Sequence, residues 1–159
     1  MKGENTYGVV IQARLSSSRL PRKVLMYVEG KPLLQRQTER LTAGIGDLPL
    51  IVATSGHKSD DDIELFCQEQ DVACFRGPLD DVMLRFIQCA EHLGLSHIIR
   101  IGGDDPLADP DCCKALVRIH QTQGGDFLYA SNRDGWPYGC AAELIKVEAL
   151  RRIHNVSTD

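Results

Sequence analysis

Runs of β-branched residues alternate with amphipathic stretches along nearly the whole chain, and this alternation constrains the fold more than any other feature. Tyr7-Gly8-Val9-Val10-Ile11-Gln12 is a short β-branched run, the mark of a strand buried on both faces. Pro32 opens a helical pattern through about Leu41, with Leu33, Leu34, Gln37 and Leu41 on one stripe. Pro49 to Thr54 reads as a second buried strand. Ser59 is placed to cap the next helix, whose first turn is the acidic Asp60-Asp61-Asp62 and which turns Ile63, Phe66 and Cys67 inward. Val72 to Phe75 is a brief third strand, and residues 80–93 form a helix with Val82, Phe86, Ala90 and Leu93 buried. His97 to Ile101 is a fourth strand. Residues 110–123 read as helix, Asp126 to Ala130 and Ala142 to Ile145 as strands, and Glu148 to His154 as a last helix. Strands and helices alternating at this spacing predict βαβ units, hence an α/β three-layer αβα sandwich with a mostly parallel sheet. Ligands of such folds bind at the carboxyl ends of the strands. Two loops there stand out, residues 12–23 and residues 102–109.

Size and charge narrow the class. A chain of 159 residues suits one domain, 1–159, and is too short for two ordinary ones. No apolar run reaches the ~18 residues of a membrane helix, and the polar N-terminus lacks a signal-peptide core. A cytoplasmic protein without a membrane partner is expected. The net charge of −4 argues against a nucleic-acid partner. That total hides an asymmetry: residues 1–40 hold eight Lys/Arg and three Glu, a balance of +5, and the remainder carries −9. Four of the basic residues, Arg14, Arg19, Arg22 and Lys23, cluster between positions 14 and 23, either as an anion site or as a solvated basic loop. The six cysteines form no C-x-x-C pair and read as small buried hydrophobes in a reducing compartment. The five histidines are scattered and carry no assigned role.

The first loop, Gln12-Ala13-Arg14-Leu15-Ser16-Ser17-Ser18-Arg19-Leu20-Pro21-Arg22-Lys23, is neither G-x-G-x-x-G nor a Walker A sequence. It offers guanidiniums, an ammonium and three hydroxyls at the mouth of a sheet. An arginine fork donates two parallel hydrogen bonds to a polyphosphate, and small serines let backbone N–H groups approach its oxygens. The second loop supplies the complement. Asp104 follows Gly102 and Gly103 at a strand end and precedes Asp105-Pro106. A carboxylate there suits Mg²⁺, which binds through one or two carboxylates plus substrate phosphates. Standing alone, that loop would be an ordinary Asp-Pro turn.

The run Val10-Ile11-Gln12-Ala13-Arg14-x-x-Ser17-x-Arg19-Leu20-Pro21-x-Lys23-x-Leu25 resembles the N-terminal signature of sugar cytidylyltransferases, which include the synthetases of CMP-activated KDO and sialic acids. Gly30-Lys31-Pro32-Leu33-Leu34, Ile51 to Ser55, Phe75-Arg76-Gly77-x-x-Asp80-Asp81-Val82, Arg100-Ile101-x-Gly103-Asp104-x-Pro106-Leu107 and Asp109-Pro110 follow in the order of the spore coat polysaccharide biosynthesis protein SpsF branch. The resemblance implies a Rossmann-like nucleotidyltransferase fold. It also implies transfer of CMP from CTP to a sugar or sugar acid with release of pyrophosphate, in surface polysaccharide biosynthesis.

Carried over residue by residue, Arg14, Ser17, Arg19 and Lys23 would grip the triphosphate, with Arg14, Arg19, Lys23 and Asp104 catalytic. Gln12 and Ala13 would lie near the base, Gly103 beside the nucleotide, and Asp104 would bind Mg²⁺. Arg76, Asp80 and Arg85 are further candidates for the nucleotide-sugar cleft. A homodimer is compatible with the resemblance. Two departures stand out. Tyr138 and Ala141 occupy positions where the branch carries aspartates, while Glu143 remains. The family also runs on beyond residue 159, so the chain is expected to lack its C-terminal portion. Both leave open the alternative of a degenerate or truncated nucleotide or sugar-nucleotide binding module without catalysis. A glycosyltransferase fits less well, because Asp104 and Asp105 are adjacent where that chemistry wants Asp-x-Asp.

Overall fold

A computed structural model describes residues 5–17, 19–137 and 139–157; Ser18 and Tyr138 lie outside the described residues. Strand β1 (Tyr7–Gln12) comes first, then the short strands β2 (Tyr27–Val28) and β3 (Lys31–Pro32) and helix α1 (Leu33–Thr42). Strand β4 (Leu50–Ser55), helix α2 (Asp61–Glu69), strand β5 (Ala73–Gly77), helix α3 (Val82–His92) and strand β6 (His97–Gly102) follow. Helix α4 (Pro110–Gln123), strands β7 (Phe127–Tyr129) and β8 (Glu143–Lys146) and helix α5 (Val147–Ser157) complete the order.

The main sheet has six strands in the order β5-β4-β1-β6-β8-β7. Strands β5, β4, β1 and β6 are parallel, and β8 runs antiparallel to both of its neighbours. The chain builds outward from β1 through β4 to β5 and then returns to place β6 on the other side of β1. That reversal opens a crevice between the carboxyl ends of β1 and β6, where Gln12 lies opposite Gly102.

The period-2 geometry of the strands divides the core between two faces. Val9 and Ile11 of β1, Val52 of β4 and Ile99 and Ile101 of β6 pack on one side with Leu34 and Leu41 of α1, Ile63 and Phe66 of α2 and Leu116 of α4. Val10, Ile51, Ala53 and Ile98 face the other side, against Phe86, Ile87 and Ala90 of α3 and Val147 and Leu150 of α5. The α/β sandwich expected from the alternation is therefore present, with helices on both faces.

Local departures have physical causes. The β2–β3 hairpin was not foreseen. Its two-residue turn, Glu29-Gly30, has φ of 50° and 79°, the left-handed pair that matches strand twist, but it lacks the usual Asn-Gly or Asp-Gly signature. Pro32 ends β3 and stands at the N-cap position rather than inside α1. Ser59 does not cap α2. A 3₁₀ turn over Lys58–Asp60 intervenes, and the His57 ring accepts from the Ser59 amide. Asp60 precedes α2 instead of lying in its first turn, and it is fully buried. All six cysteines are free, five of them buried and Cys74 half-buried. Val82 and Leu93 are likewise only half-buried.

Candidate active site

The two loops meet over the crevice between β1 and β6. Gln12, Arg14, Ser17, Arg19 and Lys23 from the first loop line one pocket with Val24, Arg100, Gly102 and Asp104, around a cavity of about 220 Å³. Arg14 and Arg19 are exposed there, and among the described residues neither has a hydrogen bond or ion pair. Lys23 crosses the crevice and donates to the Asp104 carboxylate. That bond holds the Asp104 carboxyl below its usual range. Burial, with the charge of Asp104 adding to it, pushes the neighbouring Asp105 up.

Backbone contacts set the loops close together. The Ala13 amide donates to Ala53 (3.2 Å), and the Gly103 amide donates to the Gln12 carbonyl (2.8 Å). A Cβ on Gly103 would lie 2.7 Å from that carbonyl and 3.2 Å from the Ala13 Cα, so the close approach of the two loops requires glycine there. Ala13 and Gly103 are thus buried beneath the pocket.

Side chains outside the two loops hold them in place. Gln37 is fully buried on α1, and its amide nitrogen donates to the carbonyls of Gly102 (2.7 Å) and Asp105 (3.0 Å). Arg40, one turn on, donates to the Ala108 carbonyl (3.1 Å) and pairs with Asp109 (3.2 Å), which itself caps α4. Arg100 reaches from β6 to Glu143 of β8 (2.6 Å) and to the side-chain oxygen of Gln12 (3.1 and 3.2 Å). It is a pocket residue that the sequence reading did not single out, although one arginine inside an apolar strand that ends at the second loop was the available signal. Glu143, the acidic residue retained in the divergent stretch, is thereby tied to the pocket's edge.

Three candidates are not brought into this pocket. Arg76, at the end of β5, pairs with Asp61 and Glu64 of α2 (2.6 Å each) and donates to the carbonyls of Ser55 and His57. Arg85 is fully buried on α3 and donates to the carbonyls of Pro78 and Leu79. Asp80 is exposed between these elements.

Two exposed arginines and a lysine after the first strand of a doubly wound sheet, facing a carboxylate after the strand beside it, fit a nucleotidyltransferase-type α/β fold. The cytidylyltransferase family model matches residues 8–155, and the chain belongs to that family. It is 33% identical over 151 residues to the spore coat polysaccharide biosynthesis protein SpsF of Bacillus subtilis, covering 92% of this chain and 62% of SpsF. It is 30% identical over 126 residues to the 8-amino-3,8-dideoxy-manno-octulosonate cytidylyltransferase of Shewanella sp. strain W3-18-1, covering 77% of this chain and 51% of that enzyme. The solved cytidylyltransferase of Leptospira borgpetersenii superposes with a TM-score of 0.88 at 26% identity, covering 96% of this chain and 65% of that one. A CMP:2-keto-3-deoxy-manno-octonic acid synthetase solved with CTP shares the fold, with a TM-score of 0.72 at 17% identity, over 95% of this chain and 78% of that one. The chain thus spans less than two thirds of the length of the curated relatives named here. Among the described residues no helix is long and apolar enough to cross a membrane.

Proposed function

We propose that this chain carries the nucleotide-binding and catalytic half of a sugar cytidylyltransferase, which transfers CMP from CTP to a sugar or sugar acid in surface polysaccharide biosynthesis. One observation carries the reading: Arg14, Arg19 and Lys23 converge on the same small cavity as Asp104, at the switch point of the sheet. A triphosphate entering there meets two guanidiniums that make no hydrogen bond or ion pair among the described residues and an ammonium paired with Asp104. The Ser17 hydroxyl lines the same cavity and adds a further polar group there.

In the reaction, the acceptor hydroxyl oxygen bonds to the α-phosphorus and gives up its proton to solvent water, while the bond to the bridging oxygen of pyrophosphate breaks. Arg14 and Arg19 orient the phosphates, and Lys23 with Arg19 neutralises the departing pyrophosphate. Lys23 exchanges its Asp104 partner for phosphate oxygens as the nucleotide enters.

The donor set suits Mg²⁺. Asp104 is ionised and exposed at the cavity, with the Asp105 carboxylate beside it: an ideal Cβ on Gly102 would lie 3.1 Å from Asp104 Oδ1 and 2.7 Å from Asp105 Oδ2. Mg²⁺ binds through one or two carboxylates plus substrate phosphates, and Asp104 is the carboxylate that lines this cavity. When bound, Mg²⁺ would offset the phosphate charge and orient the triphosphate.

A cytoplasmic setting fits the six free cysteines, since disulfides are rare in reducing compartments. A homodimer would have an apolar edge to use, since Phe127 and Tyr129 of edge strand β7 are 55% and 54% exposed.

The test is Mg²⁺-dependent release of pyrophosphate from CTP in the presence of a panel of sugars and sugar acids. Release with at least one acceptor is expected. No release with any nucleotide and a broad panel would contradict the reading.

A further inference from the structure

Behind the first loop lies a carboxylate that neither the pocket nor the proposed chemistry uses. Asp60 is fully buried. Its Oδ1 accepts from the backbone amide of Leu15 (2.8 Å), and its Oδ2 accepts from the Ser55 hydroxyl at the end of β4. Leu15 is itself buried, so its amide has no access to solvent as a substitute partner. The Leu15 carbonyl accepts from the Arg22 amide (2.9 Å), which closes the loop on itself. Both polar groups of the Leu15 backbone are therefore fixed, one across the loop and one by Asp60.

The platform that carries Asp60 is rigid. The Gly56 amide donates to Gly77 on the neighbouring strand (2.7 Å). The Ser55 hydroxyl also accepts from the His57 amide (3.2 Å). Arg76 clamps the carbonyls of Ser55 and His57 while pairing with Asp61 and Glu64. Arg76, expected in the cleft, acts on this turn. Leu15 stands between Arg14 and the serine run, so fixing its amide fixes where the Arg14 guanidinium and the Ser17 hydroxyl start from. An anion cradle gains affinity when its donors are held in place before the anion arrives.

We propose that Asp60 is a positioning residue of the first loop, holding the Leu15 amide so that Arg14 and Ser17 are preset for the nucleotide's phosphates. The inference rests on the nucleotide reading of the pocket. It has a consequence that does not depend on that reading: the Leu15 amide is protected by a carboxylate that lies 45 residues away in sequence.

The experiment pairs amide hydrogen exchange with titration of CTP into the full chain, for the parent, Asp60→Ala and Asp60→Asn. In Asp60→Ala, exchange at Leu15 and its loop neighbours accelerates ~10-fold or more while β1 and β6 keep their protection, and CTP binds ~10-fold or more weakly. Asp60→Asn retains an acceptor for the Leu15 amide, so both readouts return to within about three-fold of the parent. Unchanged loop protection or unchanged affinity in a folded Asp60→Ala overturns the proposal. So does equal loss in both variants accompanied by faster exchange throughout the core, because that marks a general structural role. Should Asp60→Ala fail to fold, Asp60→Asn alone decides, and loss of Leu15 protection in it refutes the hydrogen-bond account. A parent that binds no nucleoside triphosphate sinks the nucleotide reading, and the exchange data then judge Asp60 separately.

Discussion

Lys23 and Asp104 form an ion pair across the crevice, joining the loop after β1 to the loop after β6. The partners come from the two segments that the proposed chemistry needs together, one to neutralise phosphate and the other to hold a cation. Lys23 is partly buried and Asp104 is exposed, so the pair contributes no more than about 1 kcal/mol to stability. Lys23→Ala should therefore leave thermal unfolding nearly unchanged while lowering pyrophosphate release ~100-fold, the scale of removing one donor to developing charge. Melting curves and a pyrophosphate assay on the same preparation check both halves.

The same pair has a pH signature. The folded-state pKa of Asp104 is depressed, chiefly by its bond to Lys23. Its small contribution is fully present above the ordinary aspartate value of about 3.9 and is lost as pH falls through the lower folded value. Carbon-13 NMR titration of the Asp104 carboxyl should give a midpoint below the ordinary value in the parent, and Lys23→Ala should raise it. An Asp104 midpoint that does not move in the variant would deny the pairing.

His97 makes a larger acid-side prediction at the far end of the sheet. It opens β6, is buried, and is pushed down to about 4, chiefly by burial. Among the described residues its Nε2 has no hydrogen-bond partner. The unfolded chain protonates this imidazole near the usual 6.5, so stability should fall as pH drops from about 6.5 to about 4, with a slope approaching ~1.4 kcal/mol per pH unit. Denaturant unfolding across that range should show the slope in the parent and lose it in His97→Gln.

Gly102 and Gly103 should respond differently to alanine. At Gly103 a Cβ meets the Gln12 carbonyl and the Ala13 backbone, which cannot move aside without parting the loops. Gly103→Ala should cost roughly 1–3 kcal/mol of stability. At Gly102 the Cβ meets the carboxylate ends of Asp105 and Asp104, which can rotate away. Gly102→Ala should spare stability and, if Asp104 holds Mg²⁺ as proposed, raise the Mg²⁺ concentration needed for half-maximal pyrophosphate release. Equal stability losses in the two variants would contradict this distinction.

Gln37 supplies a fifth prediction. Replacing it with leucine removes one of two donors to each of the carbonyls of Gly102 and Asp105, which keep the backbone amides of Asp105 and Ala108, at a cost of about 1 kcal/mol. The melting temperature should fall, and the second loop should lose amide protection before the rest of β6. A variant as stable as the parent would show that these two bonds contribute nothing net.

Much of this arrangement was legible in the sequence because it depends on local pattern. The β-branched runs of β1, β4 and β6 and the polar loops after β1 and β6 follow from periodicity, and so does the crevice where Arg14, Ser17, Arg19, Lys23 and Asp104 meet. The antiparallel direction of β8 was not legible, because a period-2 pattern carries no direction. The supporting side chains were hidden for a different reason. Gln37 reads as part of a helix stripe and Asp60 as part of an acidic first turn. Their partners are backbone groups 65 and 45 residues away, which only the tertiary fold supplies. Arg76 and Arg85 were candidates carried over without geometry, and the fold uses them to hold the segments around β5.

The central claim is that the Arg14–Arg19–Lys23 cradle facing Asp104 holds a nucleoside triphosphate. Calorimetric titration of CTP with Mg²⁺ into the parent and into Lys23→Ala tests it most directly. One saturable site per chain is expected, weakened ~10-fold or more in the variant at unchanged thermal stability. Absence of binding in the parent, or equal affinity in a folded Lys23→Ala, would contradict the account.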